Sequence, residues 1–169
     1  MSTSTSKNEY SYKYPMPSVT ADMVVFKNIM QQDKKLDFLY FKKEKSVLLI
    51  KRANEPFKGK WALPGGFVNK DEPVEAAAKR ELLEETSMAV KGDVRLIGVY
   101  SKRNRDPRGW TITAAFTPEN PDTIDLTTMK AMDDAKDIKW FPVKNLKKIA
   151  LAFDHREIIE DALAMESHR

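Results

Sequence analysis

The order of apolar and polar residues predicts several short strands and two helices. Apolar runs bounded by polar residues predict buried strands over residues 21–26 and 46–51. The polar stretch between them, residues 27–35, predicts a loop, and the charged residues 42–45, after a short apolar run at 36–41, predict a turn. Further strands are predicted over residues 94–101, 110–117 and 138–141.

Two segments have the residue spacing of helices. Residues 73–85 contain three consecutive alanines and begin with Pro73, which suits the first helical position because its missing N–H would be unpaired there. The second helix begins after Asp154, and its apolar residues share one face. With no internal repeat or linker, these elements predict one mixed α/β domain over residues 15–169, preceded by a flexible segment at 1–14.

Composition narrows the class of protein and the kind of site. The chain has 169 residues, of which 41% are hydrophobic and 32% charged, and this suits one folded domain. No apolar run approaches the roughly 20 residues that a membrane span needs, so we expect no membrane contact. The absence of cysteine excludes disulfides and thiolate metal ligands and fits the reducing cytoplasm. The net charge of +4 averages acidic and basic residues along the whole chain and does not predict a nucleic-acid partner.

The first predicted helix carries an unusual set of acidic residues. At about 100° per residue, Glu81, Glu84 and Glu85 fall within an arc of about 100° on one side of the helix. Their charges repel one another and lie toward the helix end, where the dipole disfavours negative charge. A divalent cation would turn this repulsion into binding, and oxygen ligands suit Mg²⁺ or Mn²⁺, which points to phosphoryl chemistry. The alternative interpretation is a solvated charged face.

The residues before this helix complete a known signature. Two adjacent glycines allow a tight turn, and the second, Gly66, is followed after five residues by Glu72. Seven further residues lead to the run Arg80-Glu81-Leu82-Leu83-Glu84-Glu85. This spacing resembles the signature of the Nudix hydrolase superfamily. The departure is Ser87, where the family has glycine, and we expect this position to follow the helix end with a left-handed backbone.

The resemblance extends over most of the chain, from about residue 15 to residue 163. The segment before the signature, the run Arg105-Asp106-Pro107-Arg108-Gly109 and the run Leu151-Ala152-Phe153-Asp154-His155 are similar to a subgroup of ADP-ribose pyrophosphatases. They are also similar to the sensor domain of ADP-ribose-responsive transcriptional regulators. Those regulators carry a further C-terminal DNA-binding domain, and because this chain ends shortly after its last predicted helix, we expect none here.

The resemblance implies a fold, a metal site and a reaction. The fold is the Nudix-like α/β/α sandwich, in which a mixed sheet lies between helices and the signature forms a loop–helix–loop. Glu72 and Arg80 would orient the metal-binding carboxylates as supporting partners. The reaction is hydrolysis of the diphosphate of ADP-ribose to AMP and ribose 5-phosphate. The implied ligands of one or more Mg²⁺ ions, or of Mn²⁺, are the Gly65 carbonyl and the side chains of Glu81, Glu84 and Glu85.

The general base is open among three carboxylates. Asp133 and Asp134 lie on a later predicted loop, where related enzymes carry such a group, and Glu84 is the other candidate. The alternative interpretation of the two aspartates is a turn or the cap of a short helix.

Three arginines and two aromatic residues are candidates for substrate binding. Arg52, Arg105 and Arg108 would pair with phosphate or ribose oxygens, because arginine forms bidentate contacts and is always charged. The alternative for the arginines is a solvated basic loop. Phe57 and Trp61 flank a glycine near the signature, where an aromatic ring would stack on adenine, with core packing as the alternative. His155 has the position of a helix cap or a subunit contact.

Three functions fit the sequence. The first is Mg²⁺-dependent hydrolysis of ADP-ribose. The second is the same chemistry on another nucleoside diphosphate derivative, such as NADH, a dinucleoside polyphosphate or an oxidised nucleotide, because the loops choose the substrate. The third is a non-hydrolytic ADP-ribose-sensing domain, which the intact set of charged signature residues disfavours. We expect a small-molecule partner and, as in similar enzymes, a homodimer, with no nucleic acid.

Overall fold

The elements of the fold come from the computed structural model, which describes residues 11–32, 41–125 and 138–167. The helices are α1 (Val74–Thr86) and α2 (His155–Ser167), with short 3-10 helices at Pro121–Thr123 and Val143–Lys148. The strands in these ranges are β1 (Ser18–Met23), β2 (Phe26–Gln32), β3 (Phe41–Lys51), β4 (Trp61–Ala62), β5 (Gly65–Phe67), β6 (Ala89–Val90), β7 (Val94–Tyr100), β8 (Thr111–Pro118), β9 (Ile124–Asp125) and β10 (Ile138–Pro142).

The strands combine parallel and antiparallel pairs. One sheet has the order β5-β1-β8-β7, in which β1 runs parallel to β8 and the other neighbours are antiparallel. A second, antiparallel sheet has the order β10-β3-β2, and β4 also pairs with β3. Strands β6 and β9 form a separate antiparallel pair. The predicted mixed α/β architecture is therefore confirmed.

Two apolar cores lie on opposite faces of these strands. Successive side chains of a strand point to opposite faces, so Leu48 of β3 enters one core while Val47 and Leu49 enter the other. Helix α1 closes the first core and helix α2 closes the second. The helix residues buried there are Ala77, Ala78, Leu82, Ile158, Ile159 and Ala162.

The predicted loop at residues 27–35 and the predicted turn at 42–45 are wrong over their described parts. Residues 27–32 belong to β2 and residues 42–45 to β3. The two strands pair along their length, from Phe26 opposite Val47 to Gln32 opposite Phe41. Cross-strand pairing outweighs the polar composition of these segments. Most of the apolar run at 36–41 lies outside the described residues.

The other predicted elements lie at or near their predicted positions in the structure. Strands β7, β8 and β10 and helix α1 agree with the prediction to within one residue at each end. The strand predicted at residues 21–26 is shifted, because β1 ends at Met23 and Phe26 already begins β2. In the described part of the chain, no helix has the length and apolar character needed to cross a membrane.

The end of α1 confirms the expectation for Ser87. This residue has φ 56° and ψ 13°, a left-handed conformation, and its N–H donates to the Leu83 carbonyl at 2.8 Å. Pro73 lies one position before the helix with an extended backbone, so α1 begins at Val74.

Candidate active site

Helix α1 presents its acidic residues beside Gly65 and Gly66. The tight turn expected at these glycines is wrong, because both belong to the extended strand β5, which pairs with β1 directly after a bend at Pro64. We call this bend and its two glycines the glycine turn.

The helix buries Ala77, Ala78 and Leu82 in the first core. Its acidic residues lie on the remaining surface, where the Glu81 side chain is 15% exposed and the Glu84 side chain 57%. The two carboxylates therefore differ in their access to solvent.

Arg80 holds several of these groups at once. Its Nε and Nη2 donate to the two carboxylate oxygens of Glu72 at 2.7 and 2.9 Å. Its Nη1 donates to Glu81 at 2.6 Å and to Glu84 at 3.2 Å. Its Nη2 also donates to the Phe67 carbonyl, at 3.0 Å, which ties the helix to the glycine turn. We call Arg80, Glu72, Glu81 and Glu84 the Arg80 network.

Glu72 is held as a carboxylate by this network. Hydrogen bonds from the Arg80 guanidinium, and then from the backbone N–H of Asn69, lower the pKa of Glu72 to about 2. In turn, hydrogen bonds to Glu72 and Glu81 raise the pKa of Arg80 above its usual value. The structure thus brings together the two residues expected to orient the helix carboxylates, and their role stays a prediction.

The glycine turn lies directly against two carboxylates of α1. The N–H of Gly65 donates to Oε2 of Glu85 at 2.9 Å. A Cβ built on Gly66 would lie 2.5 Å from the Glu81 carboxylate, and a Cβ on Gly65 would overlap the Asp22 carboxylate. Because only glycine permits this approach, the turn and the acidic residues form one continuous wall.

Glu85 has the environment of a carboxylate that favours a nearby cation. Burial raises the pKa of Glu85 to about 7, and the negative charge of Glu81 acts in the same direction. The hydrogen bond from the Gly65 N–H partly opposes this shift, because it favours the charged form. A cation would relieve both effects. In the described part of the chain, no three Asp, Glu or His side chains are already arranged around a metal position, and Arg80 pairs with both Glu81 and Glu84. The donor set of carboxylates and peptide oxygens still fits Mg²⁺.

A buried aspartate and a buried histidine form a second group, which we call the Asp22–His155 pair. Asp22 on β1 is 5% exposed, and His155, the first residue of α2, is 4% exposed. Nδ1 of His155 accepts a hydrogen bond from the Leu63 N–H at 2.8 Å. A neutral ring then carries its proton on Nε2, which lies 3.7 Å from Oδ2 of Asp22. His155 is therefore enclosed in the protein and is not exposed for a subunit contact.

Burial has opposite effects on the two members of the pair. It raises the pKa of Asp22 to about 7, although the positive charge of Arg105 acts in the opposite direction. It lowers the pKa of His155 to about 3. Both shifts favour the neutral forms. Sequence reasoning missed Asp22, although an aspartate inside the apolar run at 21–26 was a usable signal, since aspartate is seldom buried without a partner.

The three candidate arginines have different partners. Arg105 donates to both carboxylate oxygens of Asp154, at 2.8 and 2.6 Å, and its side chain is 4% exposed. Arg108 donates to both carboxylate oxygens of Asp106, at 3.0 and 2.7 Å, and its side chain is 39% exposed. Arg52 is half-buried, and its Nε donates to a backbone carbonyl at 2.7 Å. All three line the same cleft, and their contact with a substrate stays a prediction.

The aromatic candidates lie near the arginines. Trp61 packs edge-on against Phe141, with ring centroids 4.7 Å apart, next to the second core, so its role is packing. Phe57 packs edge-on against Phe153 at 4.9 Å, and Phe153 lines the cleft. Stacking of Phe57 on adenine stays a prediction.

Several of the groups described above line one cleft of about 470 Å³, its open mouth included, and Glu81 and Glu85 adjoin it through Gly66 and Gly65. The glycine turn, the Asp22–His155 pair and the three arginines all contribute to its lining. Asp133 and Asp134, two of the candidates for the general base, lie outside the described residues. The cleft therefore offers guanidinium groups and an adjoining acidic wall to one ligand.

The NUDIX domain family model matches residues 37–162 of the chain. An ADP-ribose pyrophosphatase of Methanocaldococcus jannaschii is 49% identical over 121 residues, which cover 70% of this chain and 66% of the relative. The ADPR responsive transcriptional repressor NtrR of Acinetobacter baylyi is 32% identical over 157 residues, which cover 89% of this chain and 55% of the repressor. The chain thus spans less than two thirds of the length of these two relatives.

A solved structure shares the fold over nearly all of both chains. The NUDIX domain of Shewanella oneidensis NrtR, solved in complex with ADP ribose, matches with a TM-score of 0.67 and 28% identity. The match covers 92% of this chain and 93% of that domain. The fold expected from the signature is therefore confirmed.

Proposed function

Because the chain belongs to the NUDIX domain family, we propose that it is a Mg²⁺-dependent hydrolase that cleaves the diphosphate of ADP-ribose to AMP and ribose 5-phosphate. The observation that carries this proposal is the single cleft lined by the glycine turn and by Arg52 and Arg108. The same glycines contact Glu85 and Glu81. A diphosphate requires both a cation-binding wall and fixed positive groups, because its charge is spread over several oxygens.

The proposed metal site uses residues of α1 and of the glycine turn. When bound there, Mg²⁺ or Mn²⁺ would neutralise phosphate charge and lower the pKa of a water molecule. The proposed ligands are the Gly65 carbonyl and the side chains of Glu81, Glu84 and Glu85.

The protein's own residues would bind and orient the reacting groups. The N–H of Gly65 fixes one oxygen of Glu85, and Arg80 fixes Glu72 and Glu81, so the wall presents its carboxylates in set positions. In the hydrolysis, a water oxygen bonds to one phosphorus and the bond from that phosphorus to the bridging oxygen breaks. A carboxylate accepts the proton of the water. Among the residues that the structure describes, Glu84, which is more than half exposed, is the candidate for this base.

A second candidate function is non-hydrolytic sensing of ADP-ribose. The similarity to the repressor NtrR and to an NrtR domain solved with ADP ribose favours it. The presence of every charged signature residue favours hydrolysis instead. Four of them are joined in the Arg80 network, and Glu85 accepts a hydrogen bond from the N–H of Gly65.

A substrate panel tests the proposal. The protein is incubated with Mg²⁺ and ADP-ribose, NADH, diadenosine polyphosphates or nucleoside triphosphates, and the products are separated. We expect AMP and ribose 5-phosphate from ADP-ribose, and no product when a chelator removes the metal. Turnover of another compound alone would identify that compound as the substrate in place of ADP-ribose. Tight binding of ADP-ribose without turnover would support the non-hydrolytic sensing function.

Glu85→Gln is the matched control for the metal site. The substitution keeps the shape of the side chain and removes its charge. We expect a loss of turnover of at least about 100-fold, since removing even a supporting partner of a metal ligand costs about 10–100-fold. The fold should persist, because burial already disfavours the ionised form of Glu85. A fully active variant would show that the metal site is assigned wrongly.

A further inference from the structure

Directly before β5 the chain passes from one sheet to the other. Strand β4 ends at Ala62 in the sheet of β3, and β5 begins at Gly65 in the sheet of β1. Leu63 and Pro64 make this step, and we call them the sheet crossing. Proline has no N–H, so of these two residues Leu63 alone carries a backbone donor. Because the crossing leads straight into Gly65, its position determines where the Gly65 backbone lies.

The sheet crossing is held from two other elements. Nδ1 of His155, the first residue of α2, accepts the Leu63 N–H at 2.8 Å, across 92 positions of sequence. The Pro64 carbonyl accepts the N–H of Met23 on β1 at 2.9 Å. Strand backbone supplies the second of these contacts, whereas a side chain supplies the first. The place of the crossing therefore depends on where the imidazole ring of His155 lies.

The imidazole ring of His155 is itself fixed by its neighbours. The ring is 5.3 Å from the ring of Phe153, centroid to centroid, and its Nε2 is 3.7 Å from Oδ2 of Asp22. Helix α2 buries Ile159 in the second core, where the side chain of Leu63 also packs. A buried ring with these contacts gives the Leu63 N–H an acceptor at a set position.

Beyond the crossing, the backbone of Gly65 points away from β1. Opposed residues of an antiparallel pair alternate between positions that exchange hydrogen bonds and positions whose backbone groups point away from the partner strand. Met23 and Pro64 form a position of the first kind. The next opposed pair, Asp22 with Gly65, is therefore of the second kind. Accordingly the Gly65 N–H reaches Glu85 of α1 at 2.9 Å, and the Gly65 carbonyl points to the same side of β5.

We propose that His155 is a positioning residue for the metal site: it holds the sheet crossing, so that Gly65 presents its carbonyl and, through its N–H, the Glu85 carboxylate to the cation. This role rests on the proposed function, because the ligands are the ones proposed there. Nδ1 of His155 is already used by the Leu63 N–H. His155 therefore acts through the backbone and is not itself a ligand.

Binding of Mn²⁺ in the absence of substrate tests this role separately from turnover. Free Mn²⁺ is measured by electron paramagnetic resonance at a temperature at which every variant is folded. His155→Leu keeps an apolar side chain in place of the ring and removes the acceptor. We expect it to weaken Mn²⁺ binding by about 10-fold or more, the scale of losing a supporting partner of a metal ligand. His155→Asn, which returns an acceptor for Leu63, should recover most of the affinity.

Ile159→Val is the matched control for a loss of stability. Ile159 is fully buried in the second core on the same helix, so removing one methyl group lowers stability. The substitution leaves the acceptor of Leu63 in place. We expect a lower melting temperature and the Mn²⁺ affinity of the unmodified protein. A role of His155 in stability alone would likewise leave Mn²⁺ binding unchanged in His155→Leu.

Hydrogen exchange in the metal-free protein locates the change along the chain. We expect the backbone amides of residues 63–67 to exchange faster in His155→Leu than in the unmodified protein, because the Leu63 N–H has lost its acceptor. His155→Asn should restore the protection, and Ile159→Val should keep it. This measurement needs neither a bound cation nor turnover.

Several results would overturn the positioning role. They are unchanged Mn²⁺ binding in His155→Leu, an equal loss in Ile159→Val, a loss that His155→Asn does not recover, or failure of the unmodified protein to bind Mn²⁺. If ADP-ribose is cleaved but Mn²⁺ binding does not depend on His155, the positioning role fails and the proposed function stands. If Mn²⁺ binding depends on His155 but nothing is cleaved, the positioning role stands and the proposed function fails.

Discussion

Two groups of titratable residues lie on either side of the glycine turn, and they hold their carboxylates in opposite ways. In the Arg80 network, hydrogen bonds from Arg80 lower the pKa of Glu72 to about 2, so the charged form is favoured. In the Asp22–His155 pair, burial raises the pKa of Asp22 to about 7 and lowers that of His155 to about 3, so the neutral forms are favoured. The network stabilises its charges, whereas the pair makes charge costly in the folded state. A perturbed buried carboxylate inside a cleft is typical of functional sites.

Asp22→Asn gives the largest expected effect on stability. The folded-state pKa of Asp22 lies about three units above the ordinary value, so its contribution to stability is present at low pH and is lost as pH rises from 3.8 through 7. At pH 8, removing the carboxylate should raise the free energy of unfolding by up to roughly 4 kcal/mol. Chemical denaturation in a chelator at pH 8 measures the change. A variant less stable than the unmodified protein would show that the Asp22 charge is stabilised in the fold.

The same variant tests how the pair titrates. His155 has a folded-state pKa below its ordinary value, so its contribution is present above pH 6.5 and is lost as pH falls toward 3. Between pH 3.8 and 6.5 the contributions of Asp22 and His155 have opposite slopes and nearly cancel. We therefore expect the unmodified protein to show little pH dependence from the pair in this range, and Asp22→Asn to lose stability on acidification.

His155→Leu should destabilise the protein through its backbone partner. Leu63 is 1% exposed, and the substitution leaves its N–H without the acceptor now 2.8 Å away. A buried donor left unpaired costs about 1–3 kcal/mol. His155→Asn is the matched control, because the Asn Oδ1 takes the position of Nδ1 and keeps an acceptor for Leu63. Equal melting temperatures for the two variants would contradict the assigned hydrogen bond.

Arg80→Lys should act on turnover. Lysine keeps one positive charge but lacks the planar fork that reaches Glu72, Glu81 and Glu84 together. Loss of a group that orients metal ligands predicts a fall in kcat of about 10–100-fold. Steady-state assays over a Mg²⁺ series measure it. Glu75→Gln, at an exposed residue of the same helix, is the control.

The comparison also explains which parts of the molecule the sequence could predict. The Arg80 network lies on one helix and the turn before it, so residue spacing and helical geometry place its members. Asp22 and His155 meet only because β1 and the start of α2 come together in the fold. Nothing local to either residue predicts that contact, although an aspartate within an apolar strand indicates that a partner exists.

Arg105 and Arg108, three positions apart on one loop, show the same limit of prediction from local sequence. Arg105 and Arg108 have the same chemistry and both lie on a predicted loop. Their difference comes from Asp154, 49 residues after Arg105, which holds that side chain in a buried ion pair. Strand β2 was missed for a related reason, since its pairing with β3 is a contact between segments and not a property of either one.

Ser87→Gly gives the smallest expected effect and tests whether the departure from the family signature is only local. Ser87 has φ 56°, and glycine adopts this conformation without the roughly 1 kcal/mol penalty of a side chain. Glycine also adds freedom to the unfolded chain, which offsets part of the gain, so we expect a net increase in stability of about 0.5 kcal/mol. Thermal melting detects the change, and Ser87→Ala, which keeps the Cβ and loses the hydroxyl, is the control and should show no gain. Turnover should stay the same, because Ser87 follows the last residue of α1 and the carboxylates of the Arg80 network lie earlier on the helix or before it. A glycine variant no more stable than the alanine variant would mean that the left-handed backbone costs a side chain no more than the freedom that glycine adds to the unfolded chain, and the signature glycine would then be dispensable in this chain.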